Sequence, residues 1–237
     1  MTDLNGAMEI EKLNFPDQID YKKLFTLIKP YGYSNLTQYF DEKRLYLFSQ
    51  WQPEIYRVPI ENYASVTEDA ITNGKYGVYI SYGEGYHAYH GDGEIDRELC
   101  EELGVRIVDL HYAGGTIIGS EDDLSIIIVF PKFMSMCHPV IISKITEIIG
   151  KYIPNTTHIG NDILVNGEKI CGSMTRTVND SFVWAAQITF NDYSELIAQI
   201  CQKPQIKKPT YIDNALLTRD QLETDILAWL KKEDGIY

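Results

Sequence analysis

Apolar residues recur along the chain at two different periods, and the switches between them outline the fold before any chemistry is considered. Tyr21, Leu24, Phe25 and Ile28 follow Asp20 at helical spacing, with Asp20 as N-cap and Pro30 as the stop. Short strand-like pieces are expected at 44–50 and 56–60. The run 77–83 alternates β-branched and aromatic residues and closes on glycine. A short helix should follow, with Ile95, Leu99 and Leu103 on one face, then a strand at 105–110. Strand pieces at 116–118 and 124–130 flank the acidic loop 119–123 and suggest a hairpin with a long connection. Ile141, Ile142, Ile145, Ile148, Ile149 and Ile153 stripe one face of a long helix closed by Pro154. Asn166-Gly167 is the dipeptide that best tolerates positive φ at both central positions of a two-residue turn, so 162–165 and 168–171 should pair around it. A strand at 182–190, a helix at 193–201 and a last helix, capped by Thr218 with Gln221 and burying Leu222, Ile226, Trp229 and Leu230, complete the order. Helices interleaved with antiparallel hairpins indicate an α+β fold, a mixed, largely antiparallel sheet flanked by helices.

Composition narrows the function. With 44% hydrophobic residues in 237, a sizeable core can form, and no repeat or Pro/Gly/Ser-rich linker interrupts it. One domain spanning 1–237 is expected, with a candidate boundary near residue 205. Lysine and arginine number 21 against 34 acidic residues, a net charge of −13 that repels phosphate backbones, so no nucleic-acid partner is expected. The longest apolar run, Ile126 to Phe130, falls far short of the roughly 20 residues of a membrane helix. The first residues lack a basic and then apolar signal region. Cys100, Cys137, Cys171 and Cys201 are too scattered for a zinc site or a disulfide framework, which suits a reducing cytoplasm.

Two segments carry more glycine and charge than packing requires. In His111-Tyr-Ala-Gly-Gly-Thr116, adjacent glycines let a ligand approach the backbone and offer N–H groups to an anion, although a plain tight turn uses the same residues. In Gly160 to Ser173, Asp162 starts one strand of the hairpin and Lys169 lies on the return, so the two can converge on one side of the sheet. A magnesium-binding carboxylate beside a lysine meets the needs of nucleotide phosphates. A solvated cross-strand ion pair accounts for the same two residues.

Asn161-Asp162-Ile-Leu-Val-Asn-Gly-Glu-Lys169-Ile-Cys-Gly172-Ser173 resembles the signature hairpin of lipoate–protein and biotin–protein ligases, which runs Asn-Asp, apolar residues, a turn, then Lys-Ile/Leu-x-Gly. The resemblance, closer to the lipoate branch, covers about residues 75 to 237 and leaves 1–75 divergent. Ala113-Gly-Gly-Thr116 falls where that family has its glycine loop. The resemblance implies a biotin/lipoate ligase (class II synthetase-like) fold ending in a helix at 218–232. It further implies that Lys169 binds the acid's carboxylate and the α-phosphate, Asp162 the magnesium ion and Asn161 a phosphate. Gly114, Gly115 and Thr116 would line the acyl–adenylate pocket, with Gly172 and Ser173 beside it. The implied reaction uses ATP and Mg2+ to adenylate a small carboxylic acid, lipoate or octanoate, and passes the acyl group to a lysine of a carrier domain.

The chain also departs from that pattern. Asp109-Leu110 replaces an arginine pair, Gly119 stands at a histidine position, and Ala185-Ala-Gln187 stands where a His-Gly-Thr-like piece is expected. Two other readings therefore remain open: an ATP-independent lipoyl or octanoyl acyltransferase, and a non-catalytic nucleotide- or partner-binding member of the fold. Cys171, two residues after Lys169, is expected on the same side of the strand, as a packed thiol. The stretch from Tyr82 to His90 is either a surface loop or a lid, and His138 and His158 sit at element ends as caps or turns. An acidic carrier would need a local positive face, for which Lys203, Lys207 and Lys208 are the candidates.

Overall fold

The computed structural model describes residues 21–32, 34–90, 95–111, 116–201 and 209–232, and the chain forms two units, Met1–Tyr46 and Leu47–Tyr237. In the first, α1 (Tyr21–Ile28) runs into a 3-10 turn that contains Pro30 and closes on Gly32 at φ +90°. The expected cap Asp20 lies outside the described residues. Helix α2 (Leu36–Gln50) starts where Asn35 Oδ1 accepts the Gln38 N–H at 2.9 Å.

The strand expected at 44–50 is thus helical. Leu45 to Phe48 are four consecutive apolar residues, too short a run to separate the two periods. Leu47, Phe48 and Trp51 instead follow a helical face, and Phe48 stacks on Trp229 with ring centroids 4.9 Å apart.

Among the described residues, the second unit is built on a seven-stranded sheet whose strands, in spatial order, begin at Glu54, Gly77, Leu124, Ser181, Glu168, Asp162 and Thr156. The chain passes through β1 (Glu54–Pro59), α3 (Tyr63–Asn73), β2 (Gly77–Tyr82), β3 (His87–His90), α4 (Arg97–Glu102) and β4 (Arg106–Asp109). It continues through β5 (Thr116–Gly119), β6 (Leu124–Pro131), α5 (His138–Gly150), β7 (Thr156–Ile159) and β8 (Asp162–Val165). It ends with β9 (Glu168–Val178), β10 (Ser181–Ile188), α6 (Ser194–Ile200) and α7 (Arg219–Leu230). Strands β1 and β2 pair in parallel and the rest of the sheet is antiparallel, so the expected α+β, mixed and largely antiparallel architecture is found.

Strand β6 is apolar on both faces because both are covered. Ile126 and Ile128 pack with the isoleucines of α5 and with Leu222 and Ile226 of α7, while Ile127 and Val129 pack with Tyr63 and Ile71 of α3. Burying such a stripe of isoleucines contributes on the order of 2 kcal/mol per side chain. Thr218 caps α7 by accepting the Gln221 N–H, as the sequence suggests.

The hairpin expected between 116–118 and 124–130 does not form. Strand β5 pairs with β3 in a separate three-stranded sheet, order β4-β3-β5, while β6 belongs to the large sheet. Asp123 makes the difference. Its carboxylate accepts the N–H of Phe190 at 2.6 Å and of Ser120 at 2.8 Å and the Tyr193 hydroxyl, turning the chain from one sheet into the other. The Tyr82–His90 stretch is likewise no loop over its second half, since His87, Ala88 and Tyr89 are buried in β3. Among the described residues no helix is long and apolar enough to cross a membrane.

Candidate functional site

Asn166 and Gly167 adopt φ of 52° and 84°, as a turn with positive φ at both central positions requires, and they fix the pairing of β8 with β9. Val165 faces Glu168 and Leu164 faces Lys169; then a bulge intervenes, so that Ile163 faces Cys171 and Asp162 faces Gly172. The extra residue at Ile170 separates Lys169 from Cys171. Lys169 stays on the face of Leu164 and Asp162, whereas Cys171 turns with Ile163 and Ile170 into the core beneath α5. The expectation that Cys171 shares the lysine's side is corrected by this bulge. Burial pushes its thiol up to about 12 and so disfavours the thiolate.

On the other face, Lys169 Nζ lies 3.0 Å from Asp162 Oδ1, with both side chains about three-quarters covered. Gly172 makes room for this arrangement. A Cβ there would stand 3.0 Å from both Cε and Nζ of Lys169 and 3.2 Å from Ile117 Cδ1, so the lysine lies across the glycine and under β5. Ser173 binds the Asn161 carbonyl through its N–H at 2.9 Å and its hydroxyl at 2.7 Å, tying the loop ahead of β8 to β9. The Thr210 N–H reaches the Lys169 carbonyl at 2.8 Å and holds the segment after 208 beside the lysine.

Between β5 and the large sheet lies a cleft open to solvent, walled by Thr116 to Ile118, Lys169 to Gly172, Gln187, Tyr193, Ile197 and Thr210. The structure thus brings Thr116, Asp162, Lys169 and Gly172 together, with Asn161 and Ser173 bound to each other behind them. Gly114 and Gly115 lie outside the described residues, as do Lys203, Lys207 and Lys208.

Asp109, at the position of the expected arginine pair, is engaged by Arg97 through both guanidinium nitrogens, at 2.6 and 3.3 Å, and this holds its carboxyl below the usual range. Leu110 is buried with Val108. Among the described residues no group of three or more His, Cys, Asp or Glu could hold a metal ion. Asp162 supplies a single carboxylate, which fits magnesium ligated mainly by phosphate oxygens and water. His138 contacts the Ser135 carbonyl at a helix start, as expected of a turn residue.

Sequence reasoning missed the groups that shape the cleft's inner end. Tyr193 and Asp123 hold it together, and the signal was an aspartate placed directly before an apolar strand. Burial pushes the Asp123 carboxyl up to about 6 against the three donors that face it. His87, buried under Gly119, is pushed down to about 4 by burial, so it is neutral near pH 7.

No family model and no curated protein matches the chain in sequence. Solved structures do match it. LipL1 of P. falciparum, in complex with lipoate, superposes with a TM-score of 0.62 at 14% identity; the match covers 77% of this chain, which spans 63% of that protein's length. Lipoate-protein ligase A bound with ATP gives 0.60 at 14% identity over 78% of this chain and 87% of its own. A bi-partite lipoate protein ligase from Thermoplasma acidophilum, described with its E2 lipoyl domain, gives 0.60 at 14% identity over 78% and 85%. The fold of this chain is that of the lipoate–protein ligase catalytic domain.

Proposed function

We propose that the chain is an ATP- and magnesium-dependent ligase that adenylates a small carboxylic acid, lipoate or octanoate, and transfers the acyl group to a lysine of a carrier protein. The observation that carries this reading is the largely covered Lys169–Asp162 pair, 3.0 Å apart over a glycine at the wall of a cleft, on a fold shared with a ligase bound with ATP. The bound lipoate of one structural neighbour and the lipoyl domain of another support the acid and the acceptor.

In this reading the Lys169 ammonium binds the substrate carboxylate and the α-phosphate, bringing like charges together for an attack that would otherwise be repelled. A carboxylate oxygen forms a bond to the α-phosphorus, the bond to the bridging oxygen of the β-phosphate breaks, and pyrophosphate leaves. Asp162 would hold a magnesium ion, which would neutralise phosphate charge, Asn161 would contact a phosphate, and Gly114, Gly115 and Thr116 would border the adenylate. Gly172 and Ser173 keep the lysine and the Asn161 loop in place. In the second step the carrier's lysine attacks the acyl carbon, AMP departs and the amine loses a proton. All four cysteines are free, which accords with a cytoplasmic setting.

A second reading, a binding member of the fold without turnover, is favoured by Asp109, which puts a carboxylate paired with Arg97 where lipoate ligases have arginines. Mass spectrometry after incubation with ATP, Mg2+ and each acid decides between them. The ligase yields acyl-AMP and AMP with one acid; a binding protein retains acid or nucleotide and yields neither. Acyl transfer from a carrier thioester in the absence of ATP would instead identify the acyltransferase.

A further inference from the structure

Asp162, Gly172, Gln187 and Ser125 are directly opposed residues on four neighbouring strands, so they form one row across the face of the sheet that the small sheet covers. Lys169 lies over Gly172, and Gln187 is therefore one strand further in, roughly 5 to 10 Å from the ammonium. Gln187 is 2% exposed. Its carbonyl oxygen accepts the Ser125 hydroxyl, whereas its amide nitrogen is enclosed without a partner.

The strand above is cut back at this point. A Cβ on Gly119 would overlap the Gln187 amide nitrogen and stand 3.0 Å from His87 Nε2. The His87 ring is enclosed as well, neither nitrogen making a well-formed hydrogen bond. A buried donor without an acceptor costs about 1–3 kcal/mol, which a dry hydrocarbon pocket would avoid by placing an apolar side chain there. Such an orphan at the wall of a ligand cleft is relieved when the ligand brings the acceptor.

We propose that Gln187 is a specificity-determining residue that selects carboxylic acids carrying a hydrogen-bond acceptor some 5 to 10 Å from the carboxylate over acids with a plain hydrocarbon chain. This rests on the reading of the cleft as an acid site and narrows its substrate class, disfavouring octanoate of the two acids named above. Gln187 lines the cleft, and Gly119 and His87 lie against its amide nitrogen. A site built to donate a hydrogen bond discriminates strongly against an isostere that cannot accept one, because the buried donor is then left unpaired.

The test compares octanoate with 6-oxooctanoate, equal in chain length and different in one acceptor, by calorimetric binding without ATP and separately by ATP–pyrophosphate exchange. Wild type should bind the oxo acid about 10-fold or more tighter, and Gln187→Met should bring the two within about 2-fold. Gln187→Glu keeps the acceptor for Ser125 while removing both donors; it should abolish the preference for the oxo acid even if the methionine variant fails to fold. Equal binding of both acids by wild type, binding of neither, or a preference that survives both folded variants would overturn the proposal. Selective binding without exchange leaves the proposal standing and removes the ligase reading; exchange with equal preference does the reverse.

Discussion

Lys169 sits opposite Leu164 in the β-ladder, yet its ammonium pairs at 3.0 Å with the carboxylate of Asp162, two residues along the facing strand. The diagonal works because Leu164 and Asp162 share a face and because Gly172 leaves the lysine stem a path over the backbone. The bulge between the two pairs sends Cys171 to the opposite face. One irregularity thus separates a charged pair from a thiol only two residues away.

Gly172→Ala should weaken adenylation without unfolding the chain. A methyl 3.0 Å from Lys169 Nζ forces the ammonium off its position, while the extended backbone of β9 accepts alanine. A loss of about 10-fold or more in kcat/KM for pyrophosphate exchange, with Tm within a few degrees of wild type, is the expected result.

Cys171→Ala should leave turnover within about 3-fold, and the wild-type thiol should resist alkylation at pH 8. Its thiolate is disfavoured by burial, with the nearby Lys169 charge offsetting only part of that effect. Mass spectrometry after iodoacetamide treatment of the folded protein checks this. Rapid labelling of Cys171 together with loss of activity would point to a thiol-dependent acyltransferase.

Asp123 and His87 should tilt stability in opposite directions with pH. The Asp123 carboxyl, raised by burial from 3.8 to about 6, binds its proton more tightly folded than unfolded. Its contribution is full below about 4 and is lost as pH rises through 6. His87, lowered by burial from 6.5 to about 4, resists protonation in the fold. Its contribution is full above 6.5 and is lost as pH falls through 4. Each amounts to about 3 kcal/mol, so the two nearly cancel between pH 4 and 6. Urea midpoints should therefore rise with pH in Asp123→Asn and fall with pH in His87→Gln. Parallel profiles in the two variants would contradict this assignment.

The hairpin was legible in the sequence because Asn166-Gly167 dictates its own turn geometry and because alternation in β8 is short-range information. The isoleucine stripe of α5 and the cap of α7 were legible for the same reason. The three-stranded sheet was not. Strand β5 follows the same pattern whether it pairs with β6 or β3, and the choice is made by Asp123 reaching Phe190 and Tyr193, about 70 residues away in sequence. The bulge at Ile170 was hidden too, since an extra apolar residue in an apolar run leaves no mark in the pattern. So the Lys169–Asp162 pair could be anticipated from the sequence, while the orientation of Cys171 and the polar wall of Gln187 and His87 depended on tertiary pairing.

Lys169 is the residue proposed to bind the reacting carboxylate and α-phosphate. ATP–pyrophosphate exchange with Mg2+, run with lipoate, octanoate and biotin on wild type and Lys169→Ala, tests it most directly. Lys169 is a partly exposed side chain whose removal should cost the fold little, so the variant should stay folded. Exchange should be stimulated by one acid in wild type and reduced at least about 1,000-fold in the folded variant. Undiminished exchange in Lys169→Ala would contradict this role.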